Sequence, residues 1–310
     1  MGAHCGRVAR MVAPGALLPY FGQQERRRKV TIMMKSGSME EMKDPKQRDM
    51  VSSLERGLRV LTAFDHDSVE MTPSDVSKKT DLPRAATRRI LLTLCKLGYA
   101  VSDGKYFRLT PKVLDLSHNY VGNDRIRDLI EPVMREVADR LKDSCTLNIM
   151  DGGDMVSIFS CNANAIGAIS MNVGLRIPLY VSTPGRMMLA MLSKKDVDDY
   201  LAKADLAPFT PNTVTNKAQL RKELAVSRDQ GYAIGREEWE LGLYAISVPV
   251  QNDAGEIIAC LTAVGNAARI PTEEDVEKRV EVLKDAAHQI GIMLPQFQGF
   301  ADVLRASAGI

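Results

Sequence analysis

Between residues 53 and 112 the apolar positions recur first at helical and then at strand spacing. Leu54, Leu58, Leu61 and Phe64 return every three or four residues behind Ser52 and Ser53, which predicts a serine-capped amphipathic helix over residues 53–65. After a polar break at 66–71, Thr72 is placed to cap a short helix with Pro73 at its first position, Val76 turned inward and an end near Thr80. Asp81, Leu82 and Pro83 form a turn. Ala86, Ile90, Leu94 and Leu97 then trace the buried stripe of a third helix that Gly98 stops. Arg84, Ala85, Thr87, Arg88 and Arg89 flank that stripe, so the leading half of this helix is expected to show a basic face.

A short helix, a three-residue turn and a longer helix with a cationic leading end make the layout of a helix-turn-helix, whose second helix enters the major groove of DNA. A plain helical bundle with a solvated basic face gives the same pattern over the third helix alone. Residues 99–101 and 106–109 read as two short strands around Asp103 and Gly104, a pair that favours a two-residue hairpin. Such a wing would carry Lys105 and Arg108 to phosphates, a contact that positions the protein without reading bases.

The pattern changes again further along. Residues 111–120 are expected to be helical with Leu114 and Leu116 apolar, and residues 126–141 form a helix with Ile130, Val133, Val137 and Leu141 on one face. Strands are expected at 146–150, 155–160 and 165–171, and a second hairpin at 245–250 and 256–264 turns at Asp253, Ala254 and Gly255. Helices at 184–192, 194–202, 217–230 and 272–293 would cover one face of this mostly antiparallel sheet, giving an α+β chain.

Charge sharpens the division. Residues 1–50 hold ten Lys and Arg against five Asp and Glu, residues 51–112 hold eleven against seven, and the remainder holds 20 against 27. A basic front on an acidic body suits a polyanion at one end. Residues 1–50 show no sustained period and read as a disordered leader, with Met33, Met34, Met39 and Met42 as alternative starts for translation. The length of 310 residues suits two domains, and no apolar run approaches the roughly 20 residues that cross a bilayer. Five cysteines without CxxC spacing fit a reducing cytoplasm, and the four histidines stand too far from one another to draw a metal site. No cofactor motif is present.

Seven segments, in order, resemble the IclR family of bacterial transcriptional regulators. SLERGLRVL (53–61), DVSKKTDLPRAATRRILLTLCKLGYA (75–100) and YFRLTPKVLDL (106–116) are similar to its DNA-binding domain. VGLRIPLYVSTPGRMMLA (173–190), TPNTVTN (210–216), GYAIGREEWELGLYAISVPV (231–250) and AARI (267–270) are similar to its effector domain. The resemblance implies a winged helix-turn-helix over 51–112, a linker helix over 113–125, a GAF-like effector domain over 126–293 and a tail at 294–310. It further implies a homodimer or tetramer that grips a palindromic operator on double-stranded DNA and answers to a small organic acid.

For DNA contact the candidates are Arg84, Ala85, Thr87, Arg88, Arg89 and Lys105. For the effector they are Arg176, Tyr180, Ser182, Thr183, Gly185, Tyr244 and Thr262, set where the 176–186 loop meets the strands near 232–247 and 257–264. Arg176 or Arg186 would receive a carboxylate, helped by the N–H groups that open the helix after Ser182, although Pro184 supplies none. Tyr244 either lines the pocket or belongs to the core with its hydroxyl on a backbone carbonyl. Gly235 stands where the family commonly has an acid, and with Tyr244 and Trp239 nearby this points to an aromatic acid. The wording RIPLY followed by GR resembles the protocatechuate and hydroxybenzoate branch. Two other classes are open: an enzyme with Cys145 or Cys161 as nucleophile, against which no partnering His or nucleophile motif is found, and a module that binds protein partners only.

Overall fold

A computed structural model describes residues 50–65, 68–116, 124–164, 168–269 and 272–294. The expected leader (1–50) and tail (294–310) lie almost wholly outside these residues, as does most of the linker helix, of which the structure describes a 3-10 turn at Pro111–Val113 and helix at 114–116.

The first unit packs α1 (Ser52–Leu61), α2 (Pro73–Thr80) and α3 (Arg84–Leu97) against a three-stranded antiparallel sheet of β1 (Glu70–Met71), β2 (Ala100–Ser102) and β3 (Phe107–Leu109), in the order β1-β3-β2. Val60, Met71, Val76, Leu91, Leu94 and Phe107 form its core. The expected serine cap of α1 is not made: Val51 holds that position, and the helix ends at Leu61 rather than 65. Around α2 the local chemistry is as read. The Thr72 hydroxyl accepts from Asp75 N–H, the Asp75 carboxylate accepts from Thr72 N–H, and Pro73 follows the cap. Gly98 ends α3 at φ 83°, a left-handed conformation that a Cβ disfavours.

The stripe of α3 keeps Leu94 as expected, but its leading buried positions fall one residue further along. Thr87, Leu91 and Leu94 are buried, Ala86 and Ile90 are half-buried, and Leu97 is exposed. The wing turn is also shifted by one: Asp103 N–H donates to Tyr106 O, so the two turn residues are Gly104, at φ 100°, and Lys105.

The second unit begins with α4 (Asp124–Leu141) and carries six strands. These are β4 (Ser144–Asp151), β5 (Asp154–Cys161), β6 (Arg176–Pro178), β7 (Ala233–Arg236), β8 (Leu243–Gln251) and β9 (Ile257–Asn266). Their order is β6-β5-β4-β9-β8-β7, every pair antiparallel. The third strand expected at 165–171 is not one: residues 168–171 are irregular, 165–167 lie outside the described residues, and Arg176–Pro178 takes the edge beside β5.

Four further helices are α5 (Thr183–Met191), α6 (Lys194–Lys203), α7 (Lys217–Gln230) and α8 (Glu273–Met293). They do not share one face, as expected, but cover both. The α4 and α8 helices pack over Leu147, Ile149, Ile246, Val248, Leu261 and Ala263, while α5, α6 and α7 enclose a second core with Met150, Met155 and Cys260. Central β9 is accordingly buried along almost its whole length, which is why it reads as a continuous apolar run rather than an alternating one.

Candidate DNA-reading face and ligand cleft

The leading turns of α3 present Arg84, Ala85, Arg88 and Arg89 to solvent. Among the described residues none of the three arginines has a carboxylate within ion-pair distance, so their charge is available to a polyanion. Thr87 faces the other way. It is fully buried and its hydroxyl donates to Pro83 O at 3.2 Å, which removes it from the expected contact set. On the wing, exposed Lys105 lies 4.8 Å from the centre of the Tyr106 ring. Arg108 pairs with Glu70, 2.5 Å away across the β1–β3 pair, with both side chains about half exposed.

A cleft opens on the α5 side of the large sheet, about 500 Å³ including the solvent at its mouth. Thr146 and Asn148 of β4, Gly235 of β7, Ala245 of β8 and Val264 of β9 meet the start of α5 and the 237–240 turn. Met171, Ile177, Val181, Trp239 and Leu243 make the apolar wall, and Ser182 and Thr183 add hydroxyls. Glu237, Glu238 and Glu240 also border it, whereas no Lys, Arg or His does among the described residues.

Of the seven expected effector residues, the structure brings Ser182, Thr183 and Tyr244 to this cleft. The Ser182 hydroxyl already accepts Gly185 N–H at 3.1 Å. That bond occupies the donor assigned to an anion, and Gly185 itself packs against Leu179 O outside the cleft. Arg176 is spoken for: it reaches Asp151 at 2.7 Å and Asp154 at 3.2 Å beside the β4–β5 turn. Tyr180 is turned into the second core, where its hydroxyl donates to Ala207 O at 2.7 Å, and burial followed by the charge of Asp205 pushes its phenol up to about 12. Thr262 lies outside the lining. Its hydroxyl, with those of Thr146 and Ser247, supports the Asn148 amide in a buried network of 2.9–3.2 Å contacts. Tyr244 borders the cleft, but its ring belongs to the core on the opposite face, and its hydroxyl donates to the Asp143 carboxylate rather than to a carbonyl.

Sequence reasoning missed Thr146, Asn148, Glu237, Glu238 and Glu240. For the first two a signal existed: in β4 the polar residues alternate with Cys145, Leu147 and Ile149, and in a strand covered on both faces a polar alternate position marks something other than solvent. Behind Gly235 and Glu238 lies Arg186, its side chain 4% exposed. It pairs with Glu223 at 2.5 Å and with Glu238, an arrangement carried by the joint burial of α5, α7 and the 237–240 turn.

The thiols are poor nucleophiles. Cys145 stands directly opposite Cys161 across β4 and β5; both are buried, and burial raises both pKa values. Among the described residues no His, Cys, Asp and Glu cluster suits a metal ion, and no helix is long and apolar enough to cross a membrane.

Comparison with known proteins adds two domain matches. Residues 53–104 match the IclR helix-turn-helix domain, and residues 118–292 match the domain described as bacterial transcriptional regulator IclR C-terminal. The Pca regulon regulatory protein of Pseudomonas putida is 32% identical over 78% of this chain and 85% of its own. The p-hydroxybenzoate hydroxylase transcriptional activator of Acinetobacter baylyi is 27% identical over 78% and 91%. Among solved structures, a transcriptional regulator from Rhodococcus sp. RHA1 aligns with TM-score 0.69 and 32% identity over 82% of this chain and all of its own. An IclR homolog of Microbacterium hydrocarbonoxydans, complexed with 4-hydroxybenzoate, aligns with TM-score 0.65 and 27% identity over 77% and 97%.

Proposed function

Because the chain belongs to the IclR family of bacterial transcriptional regulators, and is a DNA-binding regulator rather than an enzyme, we propose that it binds a palindromic operator as a homodimer or tetramer and that an aromatic carboxylic acid in the cleft controls this binding. In this reading residues 51–112 contact DNA, residues 113–125 connect, residues 126–293 sense, and the protein works in the cytoplasm. Arg84, Arg88 and Arg89 meet the major groove, with Ala85 close to base edges and Lys105 on a flanking phosphate.

The observation that carries the effector class is the lining of the cleft: an apolar wall that includes Trp239, with a few placed hydroxyls and the Asn148 amide. The names of the relatives agree with it, since one is complexed with 4-hydroxybenzoate and another activates a p-hydroxybenzoate hydroxylase gene. For self-association the support is α1, where Leu54 and Leu58 lie at i, i+4 spacing and are each at least half exposed, with exposed Met50 two residues before the helix. A second copy offering the same row would bury both, the self-complementary arrangement of a two-fold interface.

A thermal-shift screen of aromatic acids, followed by mobility-shift titration of DNA from upstream of the regulated genes, tests the proposal. A benzoate-type acid that both stabilises the protein and changes its DNA affinity is the expected result. Stabilisation by non-aromatic acids alone would overturn the effector class.

A further inference from the structure

We propose that Glu238 is an internal stand-in for the effector's carboxylate, holding the place on Arg186 that a bound aromatic acid takes over. The proposal rests on reading the cleft as the site of a carboxylic acid, and it begins from a mismatch of sign. Three glutamates border the cleft and no cation does among the described residues, so an entering anion meets like charge. The nearest buried cation is Arg186, and it lies directly behind one of those glutamates.

Arg186 serves two carboxylates at once. Its Nη1 donates to Glu223 and its Nη2 to Glu238 Oε1, while its Nε and Glu238 Oε2 are both buried without a hydrogen-bond partner. One cation between two carboxylates leaves surplus negative charge and surplus bonding capacity on both sides. A ligand carboxylate replacing Glu238 keeps the count of charges on Arg186 unchanged and adds a second oxygen for the idle Nε, in the bidentate geometry guanidinium favours.

Access and movement are also provided. Gly235 lines the cleft, and a Cβ there would collide with Thr183 Oγ1 and stand 3.4 Å from Arg186 Nη2, so the missing side chain makes room for the Thr183 hydroxyl with the guanidinium close behind it. The backbone of Glu238 is pinned, since its carbonyl accepts from Thr213 Oγ1 at 2.6 Å and Thr210 Oγ1 at 3.2 Å. Only the side chain has to swing. Burial raises the carboxyl of Glu238 above its ordinary value against the pull of Arg186, which weakens its hold on the cation. The charged groups facing it are Arg186 of α5, Glu223 of α7, and Glu237 and Glu240 along the same turn.

The test uses the full chain, with calorimetric titration and the fluorescence of Trp239, the chain's single tryptophan, as parallel readouts. The probes are 4-hydroxybenzoate and its uncharged counterpart 4-hydroxybenzamide. Glu238→Gln removes the competing charge but keeps the shape, and should tighten the acid roughly tenfold while moving the amide less than about twofold. Combining it with Arg186→Gln, which avoids leaving two unpaired glutamates, should abolish the preference for acid over amide. If wild type binds the acid but Glu238→Gln weakens it, or shifts acid and amide alike, the stand-in role is overturned and the aromatic-acid reading survives. If wild type binds neither probe nor any other aromatic acid, both fall.

Discussion

Tyr244 donates its hydroxyl hydrogen bond to the Asp143 carboxylate at 2.5 Å, joining the strand that borders the cleft to the residue just beyond α4. Asp143 is 1% exposed and also accepts from Arg279 of α8 at 3.2 Å, so one buried carboxylate ties β8, α4 and α8 together. Gly265, opposite Tyr244 in the β8–β9 register, makes the contact possible: a Cβ there would stand 2.5 Å from the Tyr244 ring. Burial first, and then the Asp143 carboxylate, raises the Tyr244 phenol, which therefore acts as a fixed donor.

Removing that donor should be costly for its size. Tyr244→Phe keeps the ring and leaves Asp143 short of one partner, which predicts a loss of about 1–3 kcal/mol in urea unfolding. Gly265→Ala should lose at least as much, because the ring has no space to yield. A Tyr244→Phe protein as stable as wild type would mean that the bond is not formed in solution.

On α3 neighbouring residues should behave oppositely. Arg88→Ala is expected to weaken specific DNA by about 1–3 kcal/mol and scrambled duplex by less, whereas Lys105→Ala should weaken both alike and lower the salt slope by about one. Thr87→Val, which loses only a bond to Pro83 O, should leave the preference for specific over scrambled DNA in place. Equal losses on both duplexes for Arg88→Ala, in a mobility-shift series at fixed salt, would assign that arginine to phosphate alone.

The exposed row on α1 makes a separate prediction. Leu54 and Leu58 are 61% and 50% exposed, so Leu54→Glu with Leu58→Glu disturbs no core contact within one copy. Sedimentation should show a shift toward monomer with the helical circular dichroism retained. An unchanged mass would place self-association elsewhere on the chain.

What the sequence disclosed and what it concealed divide by distance along the chain. Thr72 with Pro73 and Asp75, or Gly98, act within one turn, and the ends of α2 and the stop of α3 follow from them directly. Thr87 misled because a hydroxyl bonded to the carbonyl four residues back is internally satisfied and packs like an apolar group. Arg176 misled for another reason: its partners, Asp151 and Asp154, are more than 20 residues away, and only the β5–β6 pairing brings them together. The same holds for the cleft. Asn148, Glu238 and Arg186 come from β4, a turn and α5, and no local pattern announces that they converge.

Acid should test the caps. Asp75 and Asp275 are each held below the ordinary aspartate value, first by the hydroxyl of the capping threonine, Thr72 or Thr272, and then by its N–H. A depressed carboxyl means that the folded chain binds fewer protons than the unfolded one, so its contribution is present above the unfolded pKa of about 3.9 and is lost as pH falls through the lower folded value. Replacing Asp75 and Asp275 together by Asn removes the titration but leaves a side chain that bonds more weakly at this position. Thermal unfolding should therefore show the variant less stable than wild type at neutral pH, with the two curves converging as the pH drops below about 4. Curves that stay parallel down to that range would mean that the two capping boxes contribute nothing to acid sensitivity, and that the loss of stability there comes from other carboxylates such as Asp65. That group is partly desolvated, yet its bond and charge pairing with Lys79 bring it below the usual range.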